Sequence, residues 1–70
     1  MALSMIGIGD IREIMEIRAK DAVKKHLQSL GFLAGEKVEV VSDNPSGLII
    51  MIKGTKVALN RGMANKIIVQ

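Results

Sequence analysis

A chain of 70 residues, 49% apolar but with Phe32 as its one aromatic, has room for a single aliphatic core and little volume left for a catalytic cleft. It has no cysteine, which excludes disulfides and thiolate metal sites and fits a reducing compartment, so packing alone must hold the fold. Ten Lys and Arg alternate with seven Asp and Glu to leave +3, the pattern of a solvated surface and not of a nucleic-acid footprint.

The apolar start, Met1 to Ile8, is too short for a signal h-region followed by a cleavage site. No run approaches the roughly 18 apolar residues of a membrane span. A soluble, cytoplasmic, single domain over residues 1–70 is therefore expected, without membrane insertion. No linker, low-complexity tract or internal repeat divides it.

Gly7 and Gly9 precede the first apolar segment, and the stretch Ile11 to Leu30 then reads in two ways. Asp10 with Glu13 resembles a capping box, and Ile11, Ile14, Met15, Val23, Leu27 and Leu30 fall near one stripe of a long helix. Three isoleucines crowd Ile11 to Ile17, however, and strong helix formers begin only at Ala19, so a strand followed by a shorter helix is equally legal. The well-supported helix is about Lys20 to Leu30, burying Val23, Leu27 and Leu30 at the i, i+4, i+7 spacing. Gly31 sits where a left-handed residue would end it.

After Gly35 the period changes to two: Val38 and Val40 face one side, Lys37 and Glu39 the other, as in a half-buried strand. Asp43 to Gly47 reads as a loop, and Leu48 to Ile52 as the returning strand of an antiparallel hairpin. Gly54 permits another reversal into Lys56 to Leu59, and Ile67 to Val69 closes the pattern. Short strands at close spacing with one early helix predict a small barrel, because closure removes exposed sheet edges. If an edge remained open, the apolar run Leu48 to Ile52 would favour weak self-association.

Little in the chain supports chemistry. His26 is the one histidine, lies beside the helix residue expected to be buried, and belongs to no metal-ligand spacing motif; it reads as a boundary residue, and no metal or cofactor is expected. Ser29 lacks the base and orienting group of an activated nucleophile. Glu13 with Glu16, and Glu36 with Glu39, alternate with apolar residues as exposed strand positions do, so paired-carboxylate catalysis has no specific support. Gly7-Ile8-Gly9 lacks the remainder of any phosphate-binding fingerprint. Single-strand nucleic-acid binding would want aromatic platforms, which are missing, and Lys20, Lys24 and Lys25 read as the polar face of the helix.

Two stretches carry a family resemblance. Leu27-Gln28-Ser29-Leu30-Gly31-Phe32-Leu33-Ala34-Gly35-Glu36-Lys37-Val38-Glu39-Val40 resembles a pattern in which a helix ends in Leu-Gly, a short apolar connection follows, and a Gly opens a strand. Gly54 to Val69 resembles the closing pattern of Gly, a variable pair, an apolar-Ala-Leu strand at Val57-Ala58-Leu59, a turn containing Ala64, and a terminal Ile-x-Val strand. With Gly9 and the strand after it, nearly the whole chain resembles the FeoA family. The resemblance implies a mainly β, small α+β fold: an SH3-like five-stranded barrel with one α-helix inserted between strands one and two. Asp10 to Ile17 then becomes strand one.

The same resemblance implies a non-enzymatic, cytoplasmic accessory of ferrous-iron uptake that contacts the FeoB membrane GTPase, with any GTP chemistry belonging to that partner. Two positions depart from the family pattern: Ala34 stands where Pro is frequent, and Asn60 where Arg is. The module also resembles the C-terminal domain of DtxR-type metal-dependent repressors, which would make it a regulatory domain; the short length, without a helix-turn-helix among these residues, leads one to expect the accessory role instead. A nucleic-acid-binding barrel is the third reading.

The expected contact surface is the glycine-framed connection: Leu30, Gly31, Phe32, Leu33 and Gly35. Adjacent residues of an extended segment face opposite ways, so one of Phe32 and Leu33 should cover the helix end while the other stays near the surface as an anchor.

Overall fold

A computed structural model describes residues 1–70. Five antiparallel strands, β1 (Ile11–Ile17), β2 (Lys37–Asn44), β3 (Gly47–Ile52), β4 (Thr55–Leu59) and β5 (Ile67–Val69), lie in the order β4-β3-β2-β1-β5. Helix α1 (Asp21–Ser29) joins β1 to β2, as expected. A four-residue helix α2 (Arg61–Ala64) and an N-terminal 3-10 turn (Leu3–Met5) were not anticipated.

Strand one is the pivot. Ile11, Arg12 and Glu13 pair with β2, whereas Ile14, Glu16 and Ile17 pair with β5, and the register shifts around Met15. One extra residue bends a strand and strengthens its twist, so β1 passes from one half of the sheet into the other. Both flanking ladders exclude the long-helix reading. Asp10, which resembled a helix cap, instead accepts a hydrogen bond from the Gly7 amide (3.1 Å) and closes a tight turn.

The strand faces alternate as period two demands: Val38 and Val40 of β2, Leu48, Ile50 and Ile52 of β3, and Ile67 and Val69 of β5 are buried. With Leu3, Ile6, Ile14, Ile17, Leu27, Phe32, Leu59 and Ala64 they complete a core without a buried polar or charged residue. Leu3 and Ile6 come from the N-terminal segment, which is tied to β5 by hydrogen bonds from the Met1 amine to the Val69 carbonyl (3.0 Å) and from the Val69 amide to the Met1 carbonyl (2.7 Å).

The β2–β3 hairpin corrects two expectations. Asp43 and Asn44, loop residues by composition, extend β2, Asn44 pairing with Gly47 so that only Pro45 and Ser46 turn the chain. Cross-strand hydrogen bonds and an ion pair from Asp43 to Arg61 outweigh their weak strand preference. Gly47 is required by contact, since a Cβ there would lie 2.4 Å from the Leu59 carbonyl oxygen. Leu48 to Ile52, considered as a self-association edge, is paired on both sides, to β2 and to β4.

Between β3 and β4, Lys53 (φ +50°) and Gly54 (φ +76°) form a two-residue turn with both central φ values positive, whose twist matches that of the strands. Asn60 caps α2 by accepting from the Met63 amide (2.8 Å), which gives the family-divergent residue a local structural task.

Candidate functional site

The end of α1 is built by its sequence into a C-terminal lock. With Leu30 at the C-cap, the Phe32 amide donates to the Leu27 carbonyl (3.1 Å) and the Gly31 amide to the Gln28 carbonyl (3.0 Å), the two hydrogen bonds of a Schellman motif. Gly31 has φ +104°, the left-handed residue the sequence led one to expect. The accompanying hydrophobic contact falls to Leu27 and Phe32, both fully buried.

This motif also corrects the helix face. Val23 is half-buried and Leu27 buried, but Leu30, expected inward by spacing, is 37% exposed. Leu30 keeps αR backbone angles as the C-cap, Gly31 then reverses the chain, and Phe32 takes the inward place over Leu27.

A second turn follows directly. The Glu36 amide donates to the Leu33 carbonyl (3.0 Å) with Gly35 at φ +91°, a type II turn with Ala34 at its second position. The Gly35 amide donates to the Ile14 carbonyl and the Ile14 amide to the Glu36 carbonyl, both at 2.8 Å, fastening the turn to β1 beside Met15. Below Gly31 lie the tips of Ile52 and Lys53, and the Lys53 ammonium stands 3.5 Å from the Glu36 carboxylate.

Of the five residues expected at the contact surface, Phe32 is wholly buried, whereas Leu33 is 38% exposed. The structure therefore decides which of the adjacent pair faces outward. Gly31 and Gly35 set the backbone, and Leu30 and Leu33 display the apolar surface. Met15, 50% exposed at the irregularity of β1, is a further exposed apolar residue, next in the chain to Ile14, whose backbone holds the turn. Sequence reasoning missed Met15 because an extra residue in a strand leaves no mark on the local pattern.

The other sequence candidates lie apart. His26 is exposed on α1, and its carbonyl accepts from the Ser29 hydroxyl (2.6 Å). No three His, Asp or Glu side chains converge as a ligand set. Glu16 pairs with Arg18 (3.1 Å) and Glu36 with Lys53, each bound to a neighbouring cation. The molecule's cleft, about 190 Å³ between the β2–β3 turn and the end of β4, is lined by neutral groups such as Asn44, Ser46, Leu59 and Asn60. It brings no carboxylate, imidazole or amine to one place and shares no residue with the loop.

Three comparisons with known proteins agree with this geometry. The chain is 33% identical to an Fe(2+) transport protein A of Methanocaldococcus jannaschii over 57 residues, 81% of this chain and 70% of that one. It superposes on a crystal structure of an iron uptake regulatory protein, FeoA, with a TM-score of 0.93 and 28% identity, covering 100% of this chain and 95% of that one. The zinc-complexed FeoA of Stenotrophomonas maltophilia, a prokaryotic SH3 domain protein, gives 0.89 and 28% over 100% and 89% of the two chains. A manganese-dependent transcriptional repressor shares the fold (TM-score 0.93) at 20% identity over 35% of its chain. The FeoA domain family model matches residues 1–70, and this chain belongs to the FeoA family.

Proposed function

We propose that this protein is a non-catalytic, cytoplasmic accessory of ferrous-iron transport that docks through Leu30 and Leu33 on the cytosolic part of a FeoB-type membrane GTPase. The observation that carries the reading is the division of labour within the loop. Phe32 anchors it in the core, two glycine turns fix its path, and Leu33 and Leu30 are left facing solvent. A rigid loop loses little conformational entropy on binding, so its apolar side chains can contribute more of their burial to affinity.

Membership of the FeoA family and the likeness to a protein of Fe(2+) transport support the assignment to iron uptake. No helix is long and apolar enough to cross a membrane, which fits a partner that supplies the pore. The neutral lining of the cleft supports the non-catalytic reading. The regulatory-domain reading rests on fold likeness alone.

The test is affinity capture from detergent-solubilised membranes of the native host, using the tagged chain. A large polytopic GTPase should co-purify with the wild type and be absent with Leu33→Asp. Capture of that GTPase by both proteins alike would refute the docking site, and its absence from both would refute the partner.

A further inference from the structure

Four ion pairs are present: Arg12 with Asp10 (3.8 Å), Arg18 with Glu16 (3.1 Å), Lys53 with Glu36 (3.5 Å) and Arg61 with Asp43. Lys20, Lys24 and Lys25 are in none of them, and all three are exposed around the N-terminal half of α1. Asp21 is the one acid on that helix, so three lysines less one carboxylate leave +2. Elsewhere the unpaired lysines are scattered: Lys37 faces Glu13 across the β1–β2 ladder, while Lys56 and Lys66 stand on separate elements.

The helix that carries this charge ends at the apolar loop. At 1.5 Å and 100° per residue, Lys25 is about 8 Å along the axis and about 140° around it from Leu30, so the helix charge reaches the loop as a field and not as a contact. The two carboxylates bordering Leu33 and Met15, Glu36 and Glu16, are held by Lys53 and Arg18 and offset little of the helix's field. Exposed apolar residues at Leu30 and Leu33 thus follow directly on a helix of net positive charge, and an apolar centre with charged surroundings is the composition of a protein-docking patch.

Resting on the docking reading above, we infer that the partner presents an acidic protein surface to helix α1, which carries the unpaired Lys20, Lys24 and Lys25, alongside an apolar pocket for Leu33. Charge of this kind at a rim steers encounter and fixes orientation while the apolar centre holds the complex. An anionic lipid surface fits less well, because a helix with +2 falls short of the four to eight basic residues that make a polybasic membrane anchor. Nucleic acid fits less well again, since the one aromatic, Phe32, is fully buried and offers no base a stacking platform.

The test is titration calorimetry of the full chain against the purified cytosolic domain of the FeoB-type transporter, at low and at moderate salt. Wild-type affinity should fall about tenfold as salt rises. Lys24→Glu/Lys25→Glu should weaken binding at low salt at least about tenfold and flatten that dependence, while the equally charged Lys56→Glu/Lys66→Glu control should change it less than about twofold. If Leu33→Asp abolishes binding but the helix variant binds as wild type, or if the control loses as much as the helix variant, the acidic partner surface is refuted and the docking reading stands. Absence of binding by the wild type would overturn both. Co-sedimentation with phosphatidylglycerol-containing vesicles that the helix reversal abolishes, without such a loss on the protein domain, would give the lysines to lipid and overturn the inference.

Discussion

The loop from Leu30 to Glu36 and the hairpin end from Asn44 to Gly47 are both short reversals that depend on glycine, yet their glycines answer different needs. Around Gly31 and Gly35 there is space: the nearest atoms to a Cβ at Gly31 are side-chain carbons 3.8 Å and more away, and at Gly35 nothing lies within 4 Å. Those residues are required for their left-handed φ. At Gly47 the limit is contact, with the Leu59 carbonyl occupying the place of a side chain. The first region spends its glycines on displaying Leu30 and Leu33, the second on sealing β3 and β4 together. In these two regions, the glycines that free a conformation flank the exposed leucines, and the one that permits contact belongs to the frame.

The contrast can be broken most severely at Phe32. Phe32→Ala removes the one large ring from the core and should cost about 3 to 5 kcal/mol in chemical denaturation, loosening the loop as the fold weakens. A loss below about 1 kcal/mol would mean that the loop is not anchored by this residue. Gly47→Ala comes next: a methyl group driven against backbone at φ +154° should cost about 2 to 3 kcal/mol, seen as a lower urea midpoint with an unchanged slope. Its loss arises in the frame, so docking measured on the folded fraction should be unaltered.

The smallest effect sharpens the contrast from the opposite side. Ala34 is the second residue of a type II turn, and its amide donates no backbone hydrogen bond. Proline suits that position, so Ala34→Pro, which restores the residue frequent in the family, should raise stability by about 0.5 to 1 kcal/mol. Thermal or urea unfolding would show it. A decrease would mean that the turn is less preorganised than its hydrogen bonds indicate.

How far the sequence reveals this molecule follows from where each signal resides. The alternation of Val38 and Val40, the helix stop at Gly31 and the opposition of Phe32 and Leu33 are local, and each can be recognised without knowing the remainder of the fold. Strand one cannot. Its residues suit a helix or a strand, and only its ladders to β2 and β5, supplied here through family resemblance, decide between them. Leu30 defeats the helical period because the Schellman turn after it folds Phe32 back onto Leu27, and the core is covered by that ring instead. Asp43 and Asn44 are turn residues by composition and strand residues by their partners. The buried Leu3 and Ile6 are held by contacts with the far end of the chain, which no local pattern announces. At the candidate site the glycine frame was legible and the contribution of Met15 was not.

The central claim is that burial and recognition are assigned to neighbouring residues, Phe32 and Leu33. It is tested most directly by titrating the cytosolic domain of the proposed FeoB-type partner into Leu33→Asp while following the unfolding of the same preparation. The account predicts that heat of binding disappears while stability stays within about 0.5 kcal/mol of wild type, as for an exposed position. Binding at wild-type affinity by the folded variant would contradict it.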